Sequence, residues 1–238
     1  MTWSILARDA DGSFGIAIAS RFFAVGALCP HARRGVGALS TQALMNPLYG
    51  PRGLAMLDAG RSATEVVAML TTDDAGRDHR QLHVIDARGN TAAHTGSACI
   101  DWCGHRAGEG FSVAGNMLTG PQVLDETVAA FTANRERPLA LRLLAALDAG
   151  DAAGGDKRGR QSAALVIHAH EEYPQLDLRV DDHEQPFVEL RRLYAKSLER
   201  FQPFVTCLPT EAQPAGITDR TVIEAEIARF LASHPPIP

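Results

Sequence analysis

Thr2 stands one residue behind Met1. Removal of Met1 places a hydroxyl nucleophile and a free α-amine on one residue. An α-amine with a reference pKa of about 7.7–8.0 is a general base near neutral pH, able to take the proton from its own Oγ1 as that oxygen attacks a carbonyl. Amide hydrolysis by this route also needs donors for the oxyanion. Backbone N–H groups at the strand end Ser40-Thr41-Gln42 are candidates, as is the side-chain amide of Asn116 in Ala114-Gly115-Asn116-Met117-Leu118, where a strand empties into a loop. Thr2 and Asn116 are therefore the candidate catalytic residues. The plainer alternative is that Thr2 is simply a good strand residue.

Two further segments carry chemistry suited to a polar substrate. In the first, Ser40 to Gly53, a strand runs out into a polar loop before a helix, and Ser40, Gln42, Asn46 and Tyr49 are candidate substrate contacts, with Arg52 beside them. The second is Gly154-Gly155-Asp156-Lys157-Arg158-Gly159-Arg160-Gln161-Ser162, whose glycines allow close backbone approach and whose Asp156, Arg158 and Gln161 can orient a polar group. Arg21 is a further candidate for a substrate carboxylate. Ordinary turn chemistry and a solvated charged turn account for the same residues equally well.

Other signatures are missing. The chain has no Walker loop, Gly-x-Ser-x-Gly elbow, His-Glu-x-x-His helix or dinucleotide fingerprint. Cys99, Cys103 and His105 lack ribbon spacing and a fourth zinc ligand, so no metal and no cofactor are expected.

These residues need elements to position them. Apolar and small residues alternate in strands predicted at Thr2–Ala7, Phe14–Ala19 and Val36–Gln42, with a basic turn at Arg33-Arg34-Gly35. Neither face of the second strand is polar, which predicts a sheet covered on both sides. A helix pair follows, near Pro51–Asp58 and from the capping box Ser62-Ala63-Thr64-Glu65. Strands return at Arg80–Asp86, Thr91–Thr95 and about Gly110–Gly115. A second helix pair spans Pro121–Thr132 and Pro138–Leu147, the latter stopped by Gly150. Strands at Ser162–His168 and Leu176–Val180 precede a helix from Pro186 to about Leu198. From Phe201, prolines break regular structure before an amphipathic helix capped at Thr221-Val222-Ile223-Glu224, with Ile223, Ile227, Phe230 and Leu231 on its apolar face.

Hairpin-linked strands and segregated helix pairs exclude strict βαβ alternation. They predict an α+β fold, a four-layer αββα sandwich of two antiparallel sheets over residues 1–200, with a Pro-rich connection and appended helix over 201–238. The 238 residues, 45% hydrophobic and 21% charged, suffice for such a core. A net charge of −5 with scattered basic residues marks neither a nucleic-acid nor a membrane surface. No apolar run approaches the length of a membrane span, and four cysteines are too few for a disulfide scaffold, so a soluble cytoplasmic protein is expected.

The opening Met1-Thr2-Trp3-Ser4-Ile5-Leu6-Ala7-Arg8-Asp9, the three segments above and Asp177-Leu178-Arg179-Val180-Asp181-Asp182-His183 resemble an uncharacterised bacterial family, domain of unknown function 1028, over about residues 1–195. The resemblance implies an N-terminal nucleophile (Ntn) hydrolase-like fold and a homodimer, with no substrate assigned. Ile16-Ala17-Ile18-Ala19-Ser20-Arg21 is also similar to the second strand of proteasome β-subunits, with Ala19 at the position of their aspartate. The expected function is hydrolysis of a small amide or peptide bond through Thr2; the alternative is a non-catalytic small-molecule binding protein on the same scaffold.

Overall fold

A computed structural model describes residues 2–233; Met1, on whose removal the Thr2 chemistry depends, lies outside them. The strands are β1 (Thr2–Arg8), β2 (Phe14–Ser20), β3 (Pro30–Arg33), β4 (Gly37–Ala43), β5 (Arg80–Asp86), β6 (Thr91–Thr95), β7 (Trp102–Gly108), β8 (Phe111–Leu118), β9 (Ser162–His168) and β10 (Leu176–Val180). The helices are α1 (Tyr49–Asp58), α2 (Ala63–Thr72), α3 (Gln122–Ala133), α4 (Leu139–Ala152), α5 (Pro186–Glu199), α6 (Phe201–Val205) and α7 (Arg220–Ser233).

Two antiparallel sheets form, one ordered β10-β9-β2-β1-β8-β7 and one ordered β3-β4-β5-β6. They face each other through β1, β2 and β8 on one side and β4 and β5 on the other, with α1 and α2 outside the smaller sheet and α3, α4 and α5 outside the larger. The fold is thus the expected α+β sandwich in four layers. Every residue of β2 is buried, as its apolar faces require. Among the described residues no helix is long and apolar enough to cross a membrane.

Strand alternation and the four layers divide the core in three. Trp3, Ile5 and Ala7 of β1 join Val113 and Leu165 against the outer helices. Leu6 joins Phe14, Ile16, Ala38 and Ile85 between the sheets. The smaller sheet packs Leu39, Leu82 and Val84 against Val66 and Leu70 of α2. The capping box at Ser62 and Glu65 is present in both directions.

Some elements differ from expectation. β3 and β7 were not anticipated: both are edge strands with no fully buried face, and an edge does not need the apolar alternation that marks an interior strand. α4 passes through Gly150 instead of stopping there. A Cβ on Gly150 would lie 2.5 Å from Thr127 Oγ1 and 2.8 Å from Trp3 Nε1, so this glycine admits close packing of α3 and β1. The turn comes at Gly154, φ 119°. Pro203 sits inside α6, because a proline in a first turn sacrifices no intrahelical N–H bond. Of the apolar face expected on α7, Ile227 is buried, and Arg200 ties the helix to α5 by pairing with Glu224.

Gly37, at the start of β4, has φ 151°, and a Cβ there would lie 2.5 Å from the Ile85 carbonyl oxygen. Backbone cannot yield as a side chain does. Gly37→Ala is expected to cost about 2 kcal/mol or more, read as a lower urea midpoint at unchanged m-value. An unaltered midpoint would show that β4 shifts freely.

Candidate functional site

The inner faces of the two sheets change character along their length. At one end lie Leu6, Phe14, Ile16, Ala38 and Ile85. Towards the other end the same inward positions carry Thr2 and Ser4 on β1, Ser20 on β2, Ser40 and Gln42 on β4, Gln81 and His83 on β5, and Asn116 on β8, with Ser112 of β8 opposite Leu6, all buried. Buried polar groups are costly unless paired. Here they form a connected chain.

The Ser4 hydroxyl donates to Gln42 Oε1 at 2.8 Å and lies 2.8 Å from His83 Nε2. Because its hydrogen is committed to Gln42, Nε2–H of His83 donates to Ser4, and Nδ1 accepts from Ser112 Oγ at 3.1 Å. Gln42 Nε2 donates to Gln81 Oε1 at 2.7 Å and reaches the Thr2 carbonyl at 3.5 Å. Asn116 Nδ2 donates to the same two acceptors, Gln81 Oε1 at 3.0 Å and the Thr2 carbonyl at 3.3 Å. Gln81 Nε2 faces Gly115 O, Gly104 O and Thr95 Oγ1. One directed network therefore runs from Ser112 to Thr2. Burial, with a smaller contribution from His105, pushes the His83 pKa down to about 3, so the imidazole is neutral and fixed in the tautomer that the network demands.

Thr2 is pinned from three sides. Its carbonyl is held by Asn116 and Gln42, and its Oγ1 donates to Ser20 Oγ at 3.2 Å. Immediately after Gln42 and Asn116, Ala43 and Met117 adopt left-handed backbone, φ 67° and 52°. Each costs about 1 kcal/mol or more for a residue with a Cβ, Ala43 at the last position of β4 and Met117 one before the end of β8. Such strained positions collect at functional sites.

The remaining candidates fall into groups. Asp156 accepts from the Arg21 N–H at 2.7 Å and the Arg158 N–H at 2.8 Å, so Arg21, Asp156 and Arg158 meet beside Ser20. The loop is also stitched to β8 by Thr119 N–H to Gly155 O and Lys157 N–H to Met117 O. Gln161 is drawn to Asp182 at 3.1 Å. Ser40 has no exposed surface, and its Oγ has no partner among the described residues. Asn46 and Tyr49 turn to Asp74, which also accepts from Arg80 and the Gly76 N–H. The Tyr49 hydroxyl, ahead of these other donors, holds Asp74 well below the usual carboxylate range, while burial and then Asp74 push the Tyr49 pKa up. Asn46 and Tyr49 thus brace the β4–α1 connection.

Ser4, Ser20, Gln81, His83 and Ser112 were not anticipated. Their signal was a polar residue at every second position of an apolar strand, as in Gln81-Leu82-His83-Val84. Among the described residues, no group of three or more His, Cys, Asp or Glu side chains is arranged to hold a metal ion. The Cys99 and Cys103 thiols donate to the Arg80 and Cys99 carbonyls instead.

A model of a family described as a family of unknown function (DUF1028) matches residues 2–190. The crystal structure of a DUF1028-family protein from Silicibacter pomeroyi is similar with TM-score 0.85 and 32% identity, covering 92% of this chain and 96% of that one. Anbu, an ancestral beta-subunit from Yersinia bercovieri, aligns with TM-score 0.39 and 14% identity over 82% of this chain and 94% of that one. No curated protein matches.

Proposed function

The chain belongs to the DUF1028 family, whose description leaves its activity open, and from that starting point we propose that it is an Ntn-type amidohydrolase using Thr2. The observation that carries this reading is the hold on Thr2. A fully buried network, assembled from both sheets, ends on its carbonyl and leaves its Oγ1 outside that network, bonded to Ser20.

In a chain that starts at Met1 and loses it, the Thr2 α-amine accepts the proton of Oγ1, Oγ1 attacks the amide carbonyl, and the amine returns the proton to the leaving nitrogen. Water, deprotonated by the same amine, then releases the acyl group. Both hydrogens of the Asn116 amide are engaged, so Asn116 and Gln42 act as positioning residues, and Asn116 serves an oxyanion only by exchanging one bond. Phe22, Phe23, Leu44, Leu48 and Ile100, each more than half exposed, lie on loops that leave the strands at this end, which suits a substrate with an apolar group. Arg21 and Arg158 suit its carboxylate.

Intact mass and activity together test the proposal. Protein lacking Met1 is expected to hydrolyse a member of a panel of N-acyl amino acids, small peptides and cyclic amides, with kcat/KM falling about tenfold per pH unit below the amine pKa near 7.7–8.0. Equal turnover by Met1-retaining protein overturns it. A second reading, a small-molecule binding protein, is favoured by the engagement of the amides nearest Thr2 and by a cavity of about 430 Å³ lined by Arg21, Asp151, Asp156, Arg160 and Glu184. Ligand binding with no turnover by either form decides for it.

A further inference from the structure

A cavity lined by four arginines lies at the opposite end of the sandwich from Thr2. β1 runs from Thr2 to Arg8, a span of about 20 Å at strand rise. Around Arg8, the turns β1–β2, β5–β6 and β7–β8 and the facing ends of α3 and α4 enclose about 680 Å³, within the range of small-molecule sites. Arg8, Arg88, Arg135 and Arg142 line it, against the carboxylates of Asp9 and Glu109. The chain as a whole carries a charge of −5, so an excess of cations here is local and specific.

The arginines differ in how they are held. Arg142 donates to Asp9 Oδ1 at 3.1 Å and stacks over Phe131 with its guanidinium carbon 4.3 Å from the ring centroid, which fixes the floor of the cavity. Arg8 makes one long contact to the Asp9 carbonyl, 3.5 Å, and the Nε of both Arg8 and Arg142 has no partner among the described residues. The Arg88 and Arg135 side chains line the cavity and make no hydrogen bond or ion pair among the described residues. A neighbouring cavity makes the contrast: its Arg33 pairs with Asp58 and Glu172, and its Arg34 with Glu211. There the charge is neutralised within the protein.

We infer that the Arg8–Arg142 cavity binds a phosphorylated small molecule, its phosphate held by Arg88 and Arg135 above the Arg142 floor. A surplus of two positive charges matches a phosphomonoester, which carries about −1.5 to −2 at neutral pH, better than a monocarboxylate. Planar guanidinium forks suit its oxygens in two-point contacts. This site is independent of the Thr2 chemistry.

Titration calorimetry of the full chain with ribose 5-phosphate, inorganic phosphate and acetate tests the inference. Saturable binding of the phosphomonoester is expected, weakening with salt and exceeding acetate by at least about tenfold. The double variant Arg88→Gln/Arg135→Gln removes two exposed side chains with no hydrogen bond or ion pair among the described residues, so it should keep its thermal midpoint and lose binding by about tenfold or more. Absence of saturation by about 10 mM, parity with acetate, or unchanged affinity in the double variant each overturns it.

Discussion

Thr2→Ala is expected to abolish amide hydrolysis, by at least about 10³-fold in kcat, while leaving the fold intact. The two effects separate because the buried network grips the backbone carbonyl of residue 2, through Asn116 and Gln42, and not its side chain. Alanine keeps those contacts. Among the described residues the hydroxyl makes one hydrogen bond, to Ser20, and its loss costs on the order of 1 kcal/mol. Thr2→Ser, which restores a hydroxyl beside the amine, is expected to recover turnover. The measurement is turnover of the amide panel alongside a urea midpoint for each variant. Full activity in Thr2→Ala removes Thr2 from the mechanism and leaves the binding-protein reading in its place.

Acid should destabilise this protein from about pH 6.5 downwards, before most carboxylates titrate, and His83 should be a principal reason. Its pKa is held at about 3 in the fold against 6.5 when exposed. Between those values the unfolded chain binds a proton that the folded chain refuses, so stability is complete above pH 6.5 and is lost as pH falls below it, by up to about 1.4 kcal/mol per unit. From pH 7.5 to 4.5 the loss through His83 amounts to about 3 kcal/mol. Burial also lowers His31, His105 and His168, which adds in the same direction. His83→Gln, able to donate and accept at the same place, is expected to be less stable at neutral pH but to lose less between pH 7.5 and 4.5. Chemical denaturation at the two pH values measures the difference. An identical loss in wild type and variant would mean that His83 is protonated in the fold or already open to water.

The two expectations share one cause. Neutral His83 is the member that lets the network keep one donor direction: Ser112 to Nδ1, Nε2 to Ser4, Ser4 to Gln42, and Gln42 to Thr2. A proton on Nδ1 reverses the contact with Ser112, and the cost falls on groups that are buried from solvent. Placement of Thr2 and acid stability are thus consequences of the same buried chain.

Local pattern was sufficient for much of this molecule. Phe14 to Ala19 has no polar face, and it became an interior strand covered on both sides. Ser62 and Glu65 stand three apart, and they cap α2. Hairpin-linked strands between segregated helix pairs led to the four layers, because short connections leave antiparallel neighbours few other ways to bury their faces. Edge strands β3 and β7 escaped, since a strand that pairs on one side and faces water carries no such pattern. Gly150, read as a stop, is a contact.

At the site, sequence order identified Thr2, Gln42 and Asn116 separately, and only the tertiary structure brought them onto one another. The inward position of each follows from strand alternation. That β4 and β5 lie across from β1 and β8, in the register that sets Gln42 and Gln81 against Thr2 and Asn116, depends on how two sheets stack, which no local spacing encodes. The same holds for Asn46 and Tyr49: their types suit a substrate, but Asp74, twenty-five residues beyond Tyr49, claims them first. Residue chemistry was determined by sequence alone. Which groups that chemistry is spent on was decided by packing, because a buried polar atom bonds whichever partner the fold sets within three ångströms, however far away in the chain.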